Sequence, residues 1–455
     1  MMWINSLTKS GAATLAIGAF TLGGWLAGAG SAEAVPAFAM QTNQPCSSCH
    51  VGGFGPQLTQ FGREFKMNGY TMRAVGQWDV APVSMMAVAS YIRTSRDQDS
   101  PPAPHFATND NFALDQVSLF FAGGFGQHFG AFVQTTYDGV GRAFSWDNVD
   151  LRAVTNATLF GSNAVLGVSL NNSPTVTDPW NTLGAWGYPY TGSDVAPGPA
   201  AAPQIADAFA QNALGLNGYM WWNGAVYTEL GFYWSPDASF LNSMGVSPDE
   251  TNQISGAAPY VRVAYQGNAG DHNYEVGAFG FFADVYPGRD HSAGTTDRYH
   301  DWGLDASYQL TSGAGDMWTL NGRYTYERQS LNASTILGLA ANRDNSLNDL
   351  RADLSYYSHS GFGGSVGLFD TWGSSDALVY ADSRTNSPNS SGLMLQADFT
   401  PYGGGHSPMG PRFNARLGVQ YVYYTEFDGA RHNYDGAGRD ASDNNTLRIF
   451  AWVAY

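Results

Sequence analysis

Charged residues are scarce in this chain. Asp, Glu, Lys and Arg make up 13% of its 455 residues, against ~25% in typical soluble domains. The formal net charge is −17, which argues against nucleic-acid binding, since that needs a basic patch, and predicts acidic loops that favour cations. After the first thirty-odd residues no apolar run reaches the ~20 residues of a transmembrane helix. A membrane would therefore have to be crossed by strands.

Motifs for catalysis by side chains are also absent. The sequence contains no nucleophile–base constellation and no phosphate-binding glycine loop, and it has only two cysteines. Aromatic residues, in contrast, reach 14%, and there are 55 glycines. This composition suits a protein whose outer face meets lipid. Any redox chemistry would belong to a cofactor, with the protein supplying its position and its potential.

The N-terminus has the features of a secretory signal peptide. Lys9 provides the positive charge, residues 12–26 are apolar, and Ala32-Glu33-Ala34 gives a small-x-small cleavage pattern. We predict a signal peptide over residues 1–34 and a mature chain that starts at Val35. Cleavage after Ala37-Phe38-Ala39 and an uncleaved anchor helix are the alternatives. Export to the periplasm follows.

Both cysteines belong to one motif, Cys46-Ser47-Ser48-Cys49-His50. This C-x-x-C-H pattern predicts covalent attachment of a c-type haem. The thiols of Cys46 and Cys49 would add to the two vinyl groups, and the adjacent His50 would become the proximal iron ligand. A Cys46–Cys49 disulfide and a zinc site are alternatives, but no βαβ pattern and no second Cys/His pair accompanies the motif.

The second axial ligand is less clearly marked. Methionine or histidine is usual in cytochromes, and we favour Met67. Met72, Met40, His105 and an open position are the alternatives. We predict a small helical haem segment over residues 35–78. Because it is near the ~40-residue limit for independent folding, it should complete its core against a neighbour.

The rest of the chain, residues 79–455, alternates with a period of two. Trp318, Leu320, Tyr324 and Tyr326 share one apolar face of such a segment, and polar residues occupy the other. Long alternating segments predict an all-β, antiparallel transmembrane barrel. A soluble β-sandwich or propeller is the alternative, although its strands are usually shorter. We predict about sixteen strands, near 83–93, 112–122, 128–138, 144–153, 164–171, 214–222, 225–234, 259–266, 272–284, 300–309, 317–327, 349–358, 361–369, 392–399, 413–424 and 447–455.

Long connections tend to follow the odd predicted strands and short ones the even strands. Outer-membrane barrels have long extracellular loops and short periplasmic turns, so this alternation is compatible with a haem segment in the periplasm. We expect that segment to plug or cap the barrel from the periplasmic side. Inward polar side chains would line the lumen, namely those of Arg262, Arg323, Glu327, Arg351, Asp353 and Arg416. Loop carboxylates could attract Fe²⁺, namely those of Asp97, Asp99, Asp428, Asp435, Asp440 and Asp443.

The N-terminal motifs resemble one known family, the fused monohaem cytochrome–porins of the outer membrane. The resemblance is carried by Pro36-Ala37-Phe38-Ala39, Gln41-Thr42, Cys46-Ser47-Ser48-Cys49-His50, Pro56-x-Leu58 and Phe61-Gly62-Arg63-x-Phe65-Lys66-x-x-Gly69-Tyr70. Weaker matches extend into the barrel, for example at Asp115-Gln116-Val117-Ser118-Leu119-Phe120 and at Asp178-Pro179-Trp180-Asn181-Thr182. Met40 and Pro45 depart from the pattern and bear on the haem pocket.

The resemblance implies electron transfer through the outer membrane of a Gram-negative bacterium. Family members best known as iron oxidases take electrons from extracellular Fe(II) and pass them to a soluble periplasmic cytochrome. By the same resemblance, Cys46 and Cys49 attach one haem c and His50 is its proximal ligand. This chain would then be an Fe(II):cytochrome oxidoreductase embedded in outer-membrane lipid. The alternatives are a conduit with another donor, acceptor or direction, and a solute porin with a structural haem plug.

Overall fold

The structure of the protein is a computed structural model that describes residues 35–77, 82–249, 251–409 and 412–455. The predicted signal peptide, residues 1–34, lies outside the described residues. The described helices are α1 (Pro36–Thr42), α2 (Cys46–Cys49), α3 (Gln60–Met67), α4 (Ala238–Ser243) and α5 (Asn332–Leu337). None of these helices is long and apolar enough to cross a membrane.

The described strands form a single antiparallel sheet. They are β1 (Val83–Thr94), β2 (Asn111–Phe125), β3 (Phe129–Asp138), β4 (Ala143–Leu159), β5 (Ser162–Asn171), β6 (Leu214–Trp222), β7 (Val226–Trp234), β8 (Gln253–Ile254), β9 (Ala258–Ala269), β10 (His272–Tyr286), β11 (Asp297–Thr311), β12 (Met317–Ser330), β13 (Asp344–Tyr357), β14 (Phe362–Gly373), β15 (Ser390–Phe399), β16 (Asn414–Glu426) and β17 (Thr446–Ala454).

The sheet closes into a barrel of sixteen long strands, because β1 pairs with both β2 and β17. The closing register runs from Met86 opposite Ala454 to Thr94 opposite Thr446. Two-residue β8 is an extra piece that pairs with β10, while β7 pairs directly with β9. Closure leaves no unpaired edge, which is what a sheet needs in order to cross lipid.

The alternation of the sequence separates the two faces of the barrel. In β12, Trp318 and Leu320 are exposed on the outer face, whereas Thr319, Thr325 and Glu327 are buried on the inner face. Exposed apolar side chains recur around the other strands. This apolar exterior and polar interior are typical of a membrane-spanning barrel. The prediction of a sixteen-stranded all-β barrel is confirmed, and each predicted strand overlaps an observed one; only β8 was not anticipated.

The connections differ in length at the two ends of the barrel. At one end, here called the short-turn end, β2–β3, β4–β5, β6–β7 and β9–β10 are joined by two or three residues. Connections at the opposite, long-loop end include 95–110, 172–213 and 427–445. The predicted alternation therefore holds with two exceptions: the β3–β4 connection at the long-loop end has only four residues, 139–142, and the β15–β16 connection at the short-turn end covers 400–413.

Residues 35–77, here called the plug, lie within the ring of strands at the short-turn end. Gly53 touches Gly403 in the β15–β16 connection, and Gly69 touches Arg152 and Val154 of β4. Arg63 donates a hydrogen bond to Asn273 at the start of β10. Since these contacts come from different sides of the barrel, the wall surrounds the plug.

The longest connection, 172–213, also enters the barrel. Residues 171–183 are all buried, whereas the sequence suggested an extracellular loop. The reason is charge: the Asp178 carboxylate lies 3.1 Å from a guanidinium nitrogen of Arg262 on the inner wall. The Lys66 ammonium of the plug donates to the carbonyls of Val176 and Asp178, at 2.8 and 2.7 Å. The plug and this inner loop therefore meet inside the barrel.

Candidate functional site

The C-x-x-C-H motif forms one helical turn followed by extended backbone. Cys46 and Cys49 begin and end α2, so their side chains are three positions apart and lie on the same side of the turn. Cys46 is 1% exposed. The Asn414 amide of β16 donates to the Cys46 sulfur at 3.0 Å and to the Gly53 carbonyl at 2.8 Å. The barrel wall thereby holds the motif on its Cys46 side.

Helix α3 packs directly against this turn. The Thr59 side chain caps the helix by accepting from the Gly62 amide at 3.2 Å, which satisfies a free N–H of its first turn. The Thr59 amide donates to the Cys49 carbonyl at 2.9 Å. A Cβ added at Gly62 would lie 2.2 Å from that same carbonyl oxygen. The close approach therefore requires glycine at position 62.

The two cysteines and His50 line a single cavity of about 640 Å³ between the plug, the inner loop and the wall. This volume falls within the ~300–1,000 Å³ of ligand and cofactor pockets. Its lining is rich in aromatic and other apolar side chains, which include those of Phe38, Phe54, Leu58, Phe65, Tyr70, Phe120, Phe132, Trp186, Tyr190 and Trp452. A cavity of this size, with many aromatic side chains and with Cys46, Cys49 and His50 on its wall, fits a covalently attached haem.

The ionisation of His50 suits the same role. Burial lowers the pKa of His50 to about 4, and the positive charge of Arg416 acts in the same direction. Proximity to a backbone hydrogen-bonding group of Gly55 acts to raise the pKa, but this effect is smaller than that of burial. The contact is weak, since Nδ1 of His50 makes no well-formed hydrogen bond. The imidazole is therefore neutral at physiological pH, which is the form that binds a metal ion.

The predicted distal ligands lie apart from the cavity. Met67 is fully buried in an apolar cluster with Val154, Tyr219 and Trp221, and the Tyr219 hydroxyl donates to its carbonyl at 2.8 Å. Met40 and Met72 belong to other parts of the plug. His105 is exposed in the 95–110 connection at the long-loop end. The structure does not bring any of these four side chains to the cavity that His50 lines.

Met86 does line the cavity, and sequence reasoning missed it. The alternation of β1 could have indicated it. Ser84, Val88 and Ser90 are even-numbered like Met86 and are buried on the inner face of this strand. Met85, its neighbour, is 44% exposed on the opposite face.

A buried ion pair joins the plug and the inner loop to the wall. Arg152 of β4 lies 2.8 Å from the Asp150 carboxylate, and both side chains are fully buried. The two terminal nitrogens of Arg152 donate to the carbonyls of Lys66 and Thr177, each at 3.0 Å. The hydroxyl of Tyr70 donates to Asp150 at 2.6 Å. One wall pair therefore fixes both inserted segments.

The predicted lumen residues face inward. Arg262, Glu327, Asp353 and Arg416 are buried, as the prediction requires. Arg416 donates to the Gly52 carbonyl at 3.2 Å, so it binds the plug through the backbone of that segment.

Arg323 and Arg351 each lie 2.9 Å from the Asp349 carboxylate. They line, with Asp353, a second cavity of about 310 Å³. Asn181, Gly184, Gly187 and Pro189 line both cavities, so the inner loop alone separates the two spaces at these positions.

The predicted Fe²⁺-attracting carboxylates are engaged in the loops. Asp99 lies 3.0 Å from Arg439, and Asp443 lies 3.0 Å from Arg96, so the 95–110 and 427–445 connections are tied together. The carboxylates of the other four accept hydrogen bonds from side chains or backbone amides; these are Asp97, Asp428, Asp435 and Asp440. These contacts indicate that the six carboxylates order the loops in which they lie.

Comparison with known proteins gives structural matches alone. No protein-family model matches the chain, and no curated protein matches it in sequence. The anion-selective porin from Comamonas acidovorans is 10% identical, covering 82% of this chain and 98% of its own, with a TM-score of 0.45. Salmonella typhi OmpF in complex with daunomycin is 11% identical over 82% and 97% of the two chains, with a TM-score of 0.45. OmpT of Vibrio cholerae is 8% identical over 82% and 96%, with a TM-score of 0.42.

Proposed function

We propose that this chain is an outer-membrane electron-transfer protein, in which one c-type haem attached to the plug is held inside the barrel. The observation that carries the proposal is the shared cavity. Cys46, Cys49 and His50 are the whole of a haem-attachment motif, and they line one aromatic-rich space that is large enough for a cofactor.

Each part of this site has a task that its chemistry supports. The thiols of Cys46 and Cys49 form the covalent attachment, and the neutral imidazole of His50 offers its lone pair to the iron. The aromatic side chains of the lining would reduce the contact of a bound haem with water, and solvent exposure is one of the factors that tune a haem potential. The haem supplies reversible one-electron chemistry when bound.

The direction of transfer rests on topology and on the family resemblance. If the short-turn end faces the periplasm, as in other outer-membrane barrels, the plug enters from the periplasmic side. An external Fe(II) ion would give up one electron and become Fe(III), and a soluble periplasmic cytochrome would take that electron from the plug. Fe(II) as the donor rests on the resemblance of the N-terminal motifs.

A solute porin with a structural plug is the second candidate. It is favoured by the second cavity, which Arg323, Arg351 and Asp353 line with charged side chains, as expected of a polar pathway. In that case the plug would occlude a pore rather than carry electrons.

Purified protein distinguishes the two. The electron-transfer proposal predicts haem that stays with the denatured chain, and loss of that haem in Cys46→Ser/Cys49→Ser but not in the control Ser47→Ala. Oxidised haem should then be reduced by Fe(II). If the chain carries no covalent haem, the proposal fails. If planar bilayers show steady solute conductance through a barrel whose haem is inert to every external donor, the porin candidate is correct.

A further inference from the structure

We propose that the thioether of Met86 is the second axial ligand of the haem iron. This inference rests on the proposed function, since it needs a haem attached at Cys46 and Cys49. The ligand would then come from strand β1 of the barrel wall and not from the plug.

The position of Met86 is fixed by the parity of β1. Its side chain points inward, is half-buried and lines the cavity together with Cys46, Cys49 and His50. Met86 also packs against the buried cluster of Phe54, Val88, Phe450, Trp452 and Ala454. Phe54 is four residues beyond His50, and its ring contacts the Trp452 ring with centroids 4.8 Å apart. Met86 and Phe54, a residue of the segment that follows the motif, therefore pack in the same cluster of side chains.

The Met86 sulfur is oriented by its neighbours. The indole N–H of Trp452 donates to it at 3.3 Å, and the Gln116 amide approaches it at 3.9 Å. Trp452 and Gln116 also line the cavity. Such outer contacts orient a metal ligand and tune its basicity. Thioether ligation also raises the potential of a haem above that given by two histidines, which suits an acceptor for electrons from a weak donor.

Other groups in the cavity are less suited to the role. Burial lowers the pKa of Lys66 to about 7, but its side-chain nitrogen is held by the carbonyls of Val176 and Asp178, at 2.8 and 2.7 Å. The Tyr70 hydroxyl donates to Asp150. Tyr190 alone among these has a buried hydroxyl with no hydrogen-bond partner. Burial raises the pKa of Tyr190 well above its usual value, with the negative charge of Asp353 acting in the same direction. It therefore stays a neutral phenol, which is a poor iron ligand.

The test compares single variants of the haem-loaded chain in detergent by absorption, magnetic circular dichroism and redox titration. We expect the wild type to be low-spin with the long-wavelength charge-transfer band of a thioether–Fe(III) bond. Met86→Leu keeps the volume and apolar character of the side chain, and it should remove the band, give high-spin iron and lower the potential. Met85→Leu on the outer face and Met67→Leu in the plug are matched controls that should change none of these.

Met86→His provides a rescue that a merely structural role would not give. It should restore low-spin iron without the thioether band and with a potential below that of the wild type. Unchanged spectra in Met86→Leu, a high-spin wild type, or loss of the band in Tyr190→Phe or Met67→Leu would overturn the assignment while leaving covalent haem in place. Absence of covalent haem from the wild type would instead overturn the proposed function.

Discussion

Replacing Arg152 should loosen the plug more than any exposed substitution of the same kind. The guanidinium pairs with Asp150 on its own strand and donates to the carbonyls of Lys66 and Thr177. Arg152→Leu removes all three contacts at once. It leaves Asp150 in the barrel interior with the hydroxyls of Tyr70 and Ser169 as its remaining donors, at 2.6 and 2.7 Å.

The expected magnitude follows from burial. Removing one partner of a buried ion pair costs about 3–5 kcal/mol. Because Asp150 keeps two donors, we take the lower end, about 3 kcal/mol. At 1.36 kcal/mol per factor of ten, the population in which the plug is detached from β4 should rise by about 100-fold.

Hydrogen exchange of residues 59–70 and 172–183 in detergent measures this opening. Arg298→Leu is the matched control, since Arg298 also lies 2.8 Å from a carboxylate, that of Asp284, but both side chains are about half exposed. Exposed pairs contribute about 0–1 kcal/mol, so exchange in these segments should not change in the control. Equal exchange in Arg152→Leu and wild type would refute the role assigned to this pair.

Three further predictions concern other contacts. Gly62→Ala should detach α3 from α2, the turn that carries the two cysteines, because the added Cβ would lie 2.2 Å from the Cys49 carbonyl oxygen. Overpacking of this kind costs about 1–3 kcal/mol. Proteolysis of the plug should therefore increase, whereas the control Gln60→Ala, at an exposed position, should leave it unchanged. Burial acts to raise the pKa of Asp376, but backbone amides that include those of Ala341 and Asn342 outweigh it and hold the pKa well below its usual value. The ionised Asp376 carboxylate thus stabilises the contact between its own loop and residues 341–342 fully above pH ~4, and this stabilisation is lost as the pH falls further. Hydrogen exchange at 341–342 should therefore rise in acid in the wild type. In Asp376→Asn it should already be high at neutral pH. Tyr219→Phe removes the hydroxyl that donates to the Met67 carbonyl at 2.8 Å, and should raise amide exchange in the last turn of α3 while the haem spectrum stays that of the wild type.

The barrel could be predicted from the sequence because its pattern is local. Alternation along each strand encodes both the strand and its two faces, as in β12, where Trp318 and Thr319 lie on opposite sides of the wall. Two-residue β8 is too short for any periodicity. The inward path of 172–183 could not be predicted either, because it depends on the pairing of Asp178 with Arg262, 84 positions away along the chain.

The candidate site was predictable only in part, for the same physical reason. Cys46, Cys49 and His50 are adjacent in sequence, and a helical turn keeps them together. For the second ligand, proximity in sequence favoured Met67, but helix α3 turns that side chain towards Tyr219 and Trp221 instead. Met86 reaches the cavity because the closure of the barrel places β1 beside the plug, which is a long-range property.

In the proposed function, the burial of Cys46 would impose an order on the maturation of the chain. Its sulfur accepts a hydrogen bond from Asn414, a residue near the C-terminal end of the sequence. The cavity beside it is lined by residues from both ends of the barrel sequence, such as Gln116 and Trp452. In the proposed function, an enzyme that forms the thioether bonds would have to reach the Cys46 thiol before the last strands pair, because this cysteine is buried whereas Cys49 is partly exposed. If the proposed function is correct, haem attachment at Cys46 would precede barrel closure, and the barrel would be assembled from a polypeptide that already carries its haem.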